Sequence, residues 1–265
     1  MSSPQFTVSL QRDTVEVGGN DGLLSIGELP SSVSNDSLTW VPLRRYTVDE
    51  GGLPPPPDSP KEVYPITWEV FVDDVYLDGE KLPKSSLSSG IKLSALVDTG
   101  NSLLRGPSDV VSEINRKLGN TFPCDEPHTL AFQIGGKMFP VDPRDFIVQA
   151  KENDVESCIA NLVTTDPPAI GGFLFSWSLG DPFLKRMGFL STVPSDAGDR
   201  LKADVSAAKA SGDNFPSTLE QAPTGVRTST STSISKNNAA SRIEIKPWGM
   251  LTAPVLIAFG VTLTL

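Results

Sequence analysis

The chain has 265 residues and a formal net charge of −10, with 22 lysines and arginines against 32 aspartates and glutamates. This acidity argues against nonspecific nucleic-acid binding, which requires a basic surface. Hydrophobic residues make up 38% of the chain, so one large domain or two modest ones can bury a core.

The first part of the chain is predicted to contain short strands. Apolar segments at Gln5–Leu10 and Leu23–Leu29 flank a turn-rich connection, which predicts a hairpin, and Leu38–Leu43 predicts another strand. The segment Gly51–Pro60, "GGLPPPPDSP", is predicted to be an exposed loop, because proline has no N–H group for a sheet. Short strands with many glycines and prolines indicate a mainly β protein.

The middle of the chain continues this pattern. "ITWEVFVDDVYLDGEKL" alternates apolar and polar residues and turns at Asp78-Gly79, and we interpret its acidic pair, Asp73 and Asp74, as a solvated turn. After "IKLSALV", the segment "SDVVSEINRKLGN" predicts a helix capped by Ser108 and ended by Gly119. "LAFQIGGKMFPV" predicts a second hairpin, and the apolar region "AIGGFLFSWSLGDPFLKRMGFL" is expected to complete the sheet core.

The cysteines and the single histidine give little support for a metal site. Cys124 and Cys158 are 34 positions apart and would form a disulfide in a secreted protein or free thiols in the cytosol. His128 lies in the polar segment "DEPHTL" and is interpreted as a solvated loop residue. Structural zinc needs four converging ligands, so no metal is predicted.

The C-terminal part differs in composition. Residues 198–238 are predicted to be a disordered Ser/Thr-rich stalk, because few large apolar groups are available to offset the entropy of ordering. Residues 239–265 end in a short uncharged apolar run, which predicts a glycolipid-anchor signal with attachment at Asn238. A genuine membrane-spanning tail is the alternative. Asn35 begins an N-glycosylation acceptor pattern.

An Asp-Thr-Gly sequence stands at the end of an apolar strand, in "ALVDTGNSLLRGP". A buried carboxylate is costly unless it is paired or used, and a carboxylate at this place can activate water for attack on a carbonyl. Gly100 allows a tight turn, and the Thr99 hydroxyl can form a hydrogen bond within it. A simple strand-end turn is the alternative interpretation of Asp98.

The context of Asp98 resembles the second active-site motif of the pepsin-like aspartic proteases. That motif has two apolar residues, Asp-Thr-Gly, a small polar residue, Ser, two apolar residues, any residue and Gly-Pro, and Leu96–Pro107 matches it. "GLLSIGELP", "TWEVFVDDVYLDG" and "SWSLGDPFLK" resemble other family segments in the same order, the last of which packs against the active-site loop. The resemblance covers roughly residues 4–195 and is greatest to secreted fungal members.

The resemblance implies the C-terminal lobe of a double-lobed β-barrel fold over residues 1–197, with a few short helices. It implies an aspartic endopeptidase in which Asp98 is one of two catalytic carboxylates that activate a water at acid pH. Thr99, Gly100 and Ser102 would form the scaffold of the site, and Asn101, which replaces a family Thr or Ser, would be a nearby hydrogen-bond donor. Cys124 and Cys158 would form the disulfide of this lobe.

The implied partners are a protein or peptide substrate, an N-terminal lobe that these residues do not supply, and a membrane reached through the C-terminal anchor. No cofactor and no nucleic acid are implied, and the expected location is the cell surface or the exterior. Two alternatives remain open: a catalytically inactive domain that binds a peptide or a partner, and a homodimer in which two copies of Asp98 form the catalytic pair. No G-x-S-x-G elbow or phosphate-binding glycine loop is found.

Overall fold

A computed structural model describes residues 6–10, 23–30, 33, 36, 38–87, 91–152, 154–185, 196–212 and 256–259. The described part is mainly β, as the sequence predicts, with few and mostly short helices. The strands are Phe6–Ser9 (β1), Leu23–Ile26 (β2), Thr39–Pro42 (β3), Glu69–Phe71 (β4), Asp74–Leu77 (β5), Glu80–Lys81 (β6), Ser94–Val97 (β7), Leu104–Gly106 (β8), Leu130–Ile134 (β9), Lys137–Pro140 (β10), Ile147–Gln149 (β11), Cys158–Ala160 (β12), Leu162–Thr164 (β13), Trp177–Leu179 (β14) and Leu256–Phe259 (β15). The helices are Ser108–Leu118 (α1), Pro143–Phe146 (α2), Asp181–Leu184 (α3) and Ala197–Ser211 (α4), and Val48–Glu50 forms one 3-10 turn.

Two larger sheets surround the core. One has five strands in the order β13-β8-β14-β7-β4, and the other has four in the order β10-β9-β5-β6. Both sheets are open within the described residues, so the closed barrels that the family resemblance implies are not formed there. The pairs β1-β2, β11-β12 and β3-β15 complete the sheet structure.

The predicted hairpins are confirmed, and the residues at their turns explain why. Asp78 and Gly79 connect β5 to β6 with φ values of 52° and 82°. Gly135 and Gly136 connect β9 to β10 with φ values of 58° and 75°. A two-residue hairpin with positive φ at both positions matches the twist of the flanking strands, and Asp-Gly and Gly-Gly are favoured there. The predicted hairpin of β1 and β2 is also present.

Helix α1 forms where the apolar spacing predicts it. Its buried face consists of Val110, Val111 and Ile114, and it ends before Gly119, whose φ is 84°. The prediction that Ser108 caps the helix is wrong. Pro107 occupies the N-cap position without a side-chain hydrogen bond, and Ser108 is the first helical residue. Proline at this position is tolerated because the first amide groups have no partner within the helix.

The disulfide between Cys124 and Cys158 is present and both cysteines are buried. Its two ends have a Cα–Cα separation of 4.9 Å, within the range for a disulfide. The backbone groups of Phe122 and Cys158 also bond each other in both directions. The segment around residue 122 is therefore fixed to β12 by covalent and hydrogen bonds together.

The prediction of a disordered stalk from residue 198 is wrong for its first part. Residues up to Ser211 belong to α4, whose apolar face, Leu201, Val205 and Ala208, is fully buried in the core. Asp204 of this helix approaches Arg144 of α2, and both side chains are almost completely buried. The packing of this apolar face against the core explains why the segment is a helix rather than a disordered stalk.

The tail predicted to be an anchor signal is described only at β15. The backbone of Leu256–Phe259 pairs antiparallel with β3 in the structure, rather than standing apart from the β fold. Asn35 and Asn238 lie outside the described residues. Among the residues that the structure describes, no helix has both the length and the apolar character needed to cross a membrane.

Candidate active site

Asp98 directly follows β7, and the chain returns in β8 six residues later. Its backbone N–H donates to the Leu179 carbonyl of β14 at 3.1 Å, and the preceding N–H, of Val97, donates to the Trp68 carbonyl at 2.8 Å. The aspartate thus begins its loop where the backbone is still held by strands on both sides. Its side chain is partly buried.

Strand β14 lies between the two strands that flank the Asp98 loop. It runs parallel to β7, with Leu179 opposite Val97, and antiparallel to β8, with Leu179 opposite Leu104. The strand comes from the segment "SWSLGDPFLK", which the family resemblance assigns to packing against the active-site loop, and the structure confirms this packing. Both ends of the loop are therefore hydrogen-bonded to the same distant strand.

Two glycines permit this close approach. A Cβ atom on Gly180, directly after β14, would lie 2.0 Å from the Asn101 carbonyl oxygen. A Cβ atom on Gly106, in β8, would lie 2.5 Å from the Trp177 ring. Trp177 is fully buried and also meets Phe132 edge to face, with ring centroids 5.0 Å apart. The loop thus packs closely against β14 and Trp177, and there is no space for a side chain at Gly180 or Gly106.

The Asp98 carboxylate takes part in closing its own turn. The Gly100 N–H donates to Asp98 Oδ1 at 3.0 Å, and the Asn101 N–H donates to the Asp98 carbonyl at 3.4 Å. The Thr99 hydroxyl, which was expected to form a hydrogen bond within the turn, is exposed instead. Gly100 and Ser102 are exposed as well. The Asp98 carboxylate and the backbone, rather than the threonine hydroxyl, form the hydrogen bonds that define the turn.

Asn101 is a hydrogen-bond donor near the site, but its amide does not donate to the Asp98 carboxylate. Its Nδ2 group donates to Ser178 Oγ at 2.9 Å, and its Oδ1 accepts from the Leu103 N–H at 3.1 Å. Its carbonyl oxygen accepts from the Asp181 N–H at 2.7 Å. Asn101 therefore connects the loop to β14 and to the start of α3. Its side chain, which is longer than that of the Thr or Ser it replaces, reaches Ser178, 77 positions away.

The β1–β2 hairpin carries an exposed apolar surface. Phe6, Val8, Leu24 and Ile26 are between 44% and 76% exposed, and their pairing in the β1–β2 hairpin brings them to one face. The Phe6 ring meets the exposed Trp68 ring edge to face, with centroids 5.2 Å apart. The Trp68 carbonyl accepts from the Val97 N–H, so this surface is linked through Trp68 to the end of β7, directly before Asp98.

His128 and Asp74, which the sequence analysis interpreted as solvated, are partly buried and form ion pairs. His128 is not a solvated loop residue: its side chain is only 13% exposed and bonds Asp78. Asp74 forms ion pairs with Lys81 and Lys84, and the hydrogen bond from Lys81 leads the causes that lower its pKa. Asp73 is exposed and accepts from the Gly136 N–H.

Sequence reasoning missed a buried polar network beneath the five-stranded sheet. Glu69 is completely buried and accepts hydrogen bonds from Arg44, Tyr46 and Ser94. The Tyr46 hydroxyl also accepts from the Leu174 N–H. Burial, followed by the hydrogen bond to Glu69, raises the pKa of Tyr46 far above its usual value. The sequence feature that could have indicated this network is a charged residue inside an apolar strand segment, such as the glutamate in "TWEVFV".

No group of three His, Cys, Asp or Glu side chains suited to a metal ion occurs in the described part of the chain. The chemistry that the site offers is that of one partly buried carboxylate on a firmly held loop. A β-rich unit with an Asp-Thr-Gly loop between two strands, held by a Trp-Ser-Leu-Gly-Asp segment, is the arrangement implied by the resemblance to aspartic proteases.

Comparison with known proteins agrees with this class. The family model described as eukaryotic aspartyl protease matches residues 1–190, and the chain belongs to this family. Pepsin A of Sus scrofa is 29% identical over 196 residues, which cover 69% of this chain and 43% of that protein.

Two forms of cathepsin D are also similar. That of Dictyostelium discoideum is 26% identical over 215 residues, or 73% of this chain and 48% of that protein. That of Homo sapiens is 30% identical over 135 residues, or 45% of this chain and 30% of that protein. The chain thus matches less than half the length of these relatives.

Proposed function

We propose that this chain provides one lobe of an acid endopeptidase, with Asp98 as one of the two catalytic carboxylates. The observation that carries the proposal is the attachment of the Asp98 loop to β14, which holds a carboxylate in a defined position at the surface of the lobe. A catalytic group must be held in place before the substrate arrives, and a hydrogen-bonded scaffold provides this.

The proposed chemistry uses two carboxylates that share one proton. Two such groups at short distance do not both ionise readily, so one acts as a base towards a bound water while the other donates a proton to the peptide carbonyl. Activity would therefore be confined to acid pH, where the pair retains its single proton. Asn101 would act by positioning the loop, since its amide is bonded to Ser178.

The second carboxylate would come from an N-terminal lobe outside these 265 residues. The sequence contains one Asp-Thr-Gly, and the relatives are more than twice as long as the segment they share with it. The exposed apolar face of β1 and β2 meets Trp68, whose carbonyl accepts from the Val97 N–H directly before Asp98, and this face would contact such a lobe. Burying four large apolar side chains favours a permanent contact at this place.

The test is cleavage of a denatured protein at roughly pH 3–5, which brackets the usual carboxyl pKa values. The assay uses both the chain alone and the longest natural polypeptide that contains it. Asp98→Asn preserves the acceptor for the Gly100 N–H and should reduce turnover by at least about a thousandfold. Asp166→Asn, at an exposed aspartate, is the matched control and should leave turnover unchanged.

The outcomes separate the proposal from its alternatives. Activity that survives Asp98→Asn excludes Asp98 as a catalytic residue. If the longer polypeptide contains a second Asp-Thr-Gly yet binds peptides without cleaving them, the inactive binding domain is correct. If the chain alone cleaves and elutes as a dimer in size exclusion, two copies of Asp98 form the pair.

We further propose that the protein is exported, glycosylated at Asn35 and attached to the cell surface through a glycolipid at Asn238. The acceptor pattern at Asn35 and the small residues followed by an apolar run at the C-terminal end support this. Release from cells by a phosphatidylinositol-specific phospholipase, and failure of anchoring in Asn238→Gln, are the expected results. Retention of residues 256–259 in the mature protein, as the strand β15 would require, would contradict the anchor.

A further inference from the structure

His128, the one histidine in the sequence, lies between the disulfide-bonded segment and the β5–β6 turn. Its Nδ1 atom is 2.8 Å from Asp78 Oδ2, and its Nε2 atom is 3.7 Å from Glu126 Oε1. Both ring nitrogens thus face a carboxylate, and the side chain is only 13% exposed. A protonated imidazole has two N–H donors for these two acceptors, whereas a neutral imidazole has one.

The imidazole also contacts the segment that carries the disulfide. Its ring meets Phe122 edge to face, with centroids 4.8 Å apart. Phe122 exchanges two backbone hydrogen bonds with Cys158, which is bonded to Cys124. The ring thereby joins two parts of the structure that are distant in sequence, the β5–β6 turn and the disulfide segment.

The position of Asp78 is fixed by the backbone. It adopts a φ of 52° at the turn, and its N–H donates to the Thr129 carbonyl at 2.9 Å. Its Oδ1 atom accepts from the Thr129 N–H at 2.7 Å, which leaves Oδ2 directed at the imidazole. Because Thr129 bonds both the backbone and the side chain of Asp78, the carboxylate keeps its position without His128.

Among the residues that the structure describes, the charged groups that face the imidazole are acidic. They are Asp78 from the β5–β6 turn and Glu126 from the segment of His128 itself. Helix α4 approaches this segment at Gly198, where an added Cβ would lie 3.3 Å from Pro127. Two of the three cations of that helix bond other carboxylates: Arg200 pairs with Asp196, and Lys209 pairs with Glu156 and lies near Asp125. The third, Lys202, is exposed.

We propose that His128, Asp78 and Glu126 form a pH-dependent latch: the protonated imidazole holds the disulfide segment against the β5–β6 turn in acid, and its deprotonation loosens that contact towards neutral pH. The latch does not involve Asp98 and does not depend on the proposed function. It would stabilise the folded chain under acidic conditions and weaken one local region of it outside them.

The direction of the pH dependence follows from the contacts. The hydrogen bond with Asp78 raises the pKa of His128, burial opposes this, and the charges of Asp78 and Glu126 raise it further. An ordinary histidine has a pKa of about 6.5. A folded-state pKa above that of the unfolded chain gives a stabilisation that is complete below about pH 6.5 and is lost as the pH rises through the folded value.

The first test is a proton NMR titration of the full chain, in which a single histidine gives one Cε1–H resonance. Asp78→Asn removes the charge but keeps an oxygen for the Thr129 N–H, and asparagine tolerates the turn conformation. We expect the titration midpoint of His128 to lie above that of a model peptide and to fall in Asp78→Asn. An unchanged midpoint in that variant would overturn the proposal.

The second test measures backbone exchange across residues 122–131 at about pH 5 and about pH 8, corrected for the intrinsic exchange rate. His128→Gln and Asp78→Asn should exchange about fivefold faster than the wild type at the lower pH, as expected for a partly buried pair, and equally at the higher pH. Lys117→Gln, which removes the ion pair with Glu80 on the same hairpin, is the control and should have no effect at either pH. A difference between variants that is the same at both pH values would indicate packing alone and would overturn the latch.

Discussion

Gly180 and Asn101 are in direct backbone contact, and a Cβ atom on Gly180 would lie 2.0 Å from the Asn101 carbonyl oxygen. The same atom would lie 2.5 Å from the Leu103 carbonyl oxygen, so no small shift of one group could accommodate it. Gly180 itself has a φ of −88°, which other residues adopt readily. The need for glycine therefore comes from space, and the position of the candidate catalytic loop depends on a residue more than 75 positions away.

We predict that Gly180→Ala destabilises the chain by ~1–3 kcal/mol, because the new methyl group must displace the backbone of the Asp98 loop. Urea unfolding of the two proteins measures this difference. Gly172→Ala is the matched control, since its Cβ would meet only the Ala169 carbonyl at an ordinary 3.5 Å. Equal effects of the two substitutions would show that the contact at Gly180 is relaxed in solution.

The buried network around Glu69 gives a second prediction. Arg44→Met retains most of the aliphatic volume but leaves the fully buried Glu69 carboxylate without its cation. Removal of one partner of a buried ion pair costs ~3–5 kcal/mol.

The measurement is again chemical denaturation, with Arg116→Met as the comparison. Arg116 forms an ion pair with Glu113 on the exposed side of α1, and such pairs contribute ~0–1 kcal/mol. A loss below about 1 kcal/mol in Arg44→Met would mean that Tyr46 and Ser94 satisfy the carboxylate without the arginine.

A third prediction concerns α4, which the sequence interpretation treated as disordered. Leu201 is fully buried, so Leu201→Ala should destabilise the chain by ~2–5 kcal/mol through lost burial and a cavity. Lys202→Ala, at the exposed neighbouring position, should change the stability by less than ~0.5 kcal/mol. If the two variants unfold at the same urea concentration, α4 does not belong to the cooperatively folded unit.

The elements that were predicted correctly depend on residues close in sequence. Alternating apolar residues, Asp78-Gly79 and Gly135-Gly136 define hairpins because each pattern fixes the faces of a strand or the sign of φ locally. The apolar spacing of α1 likewise predicts its buried face. The motif around Asp98 could be recognised because an unbroken run of twelve residues, Leu96–Pro107, carries it.

One local pattern was available but was outweighed by composition. Leu201, Val205 and Ala208 have the i, i+4, i+7 spacing of an amphipathic helix, and Gly212 follows as a C-cap with a φ of 74°. Their surroundings of Ala, Ser, Lys and Asp indicate low hydrophobicity, which led to the prediction of disorder. The helix forms despite this composition because Leu201, Val205 and Ala208 are all buried in the core.

The sequence by itself determined the strands and turns that local patterns define, and its resemblance to a known family indicated the class of protein, the disulfide and Asp98 as the candidate catalytic carboxylate. The tertiary structure alone decided which group bonds which: Asn101 reaches Ser178 rather than Asp98, and His128 meets Asp78 fifty positions away. The physical reason is that strand and turn preferences arise between neighbouring residues. A polar side chain instead bonds the donor or acceptor that the packed sheets bring within about 3 Å of it.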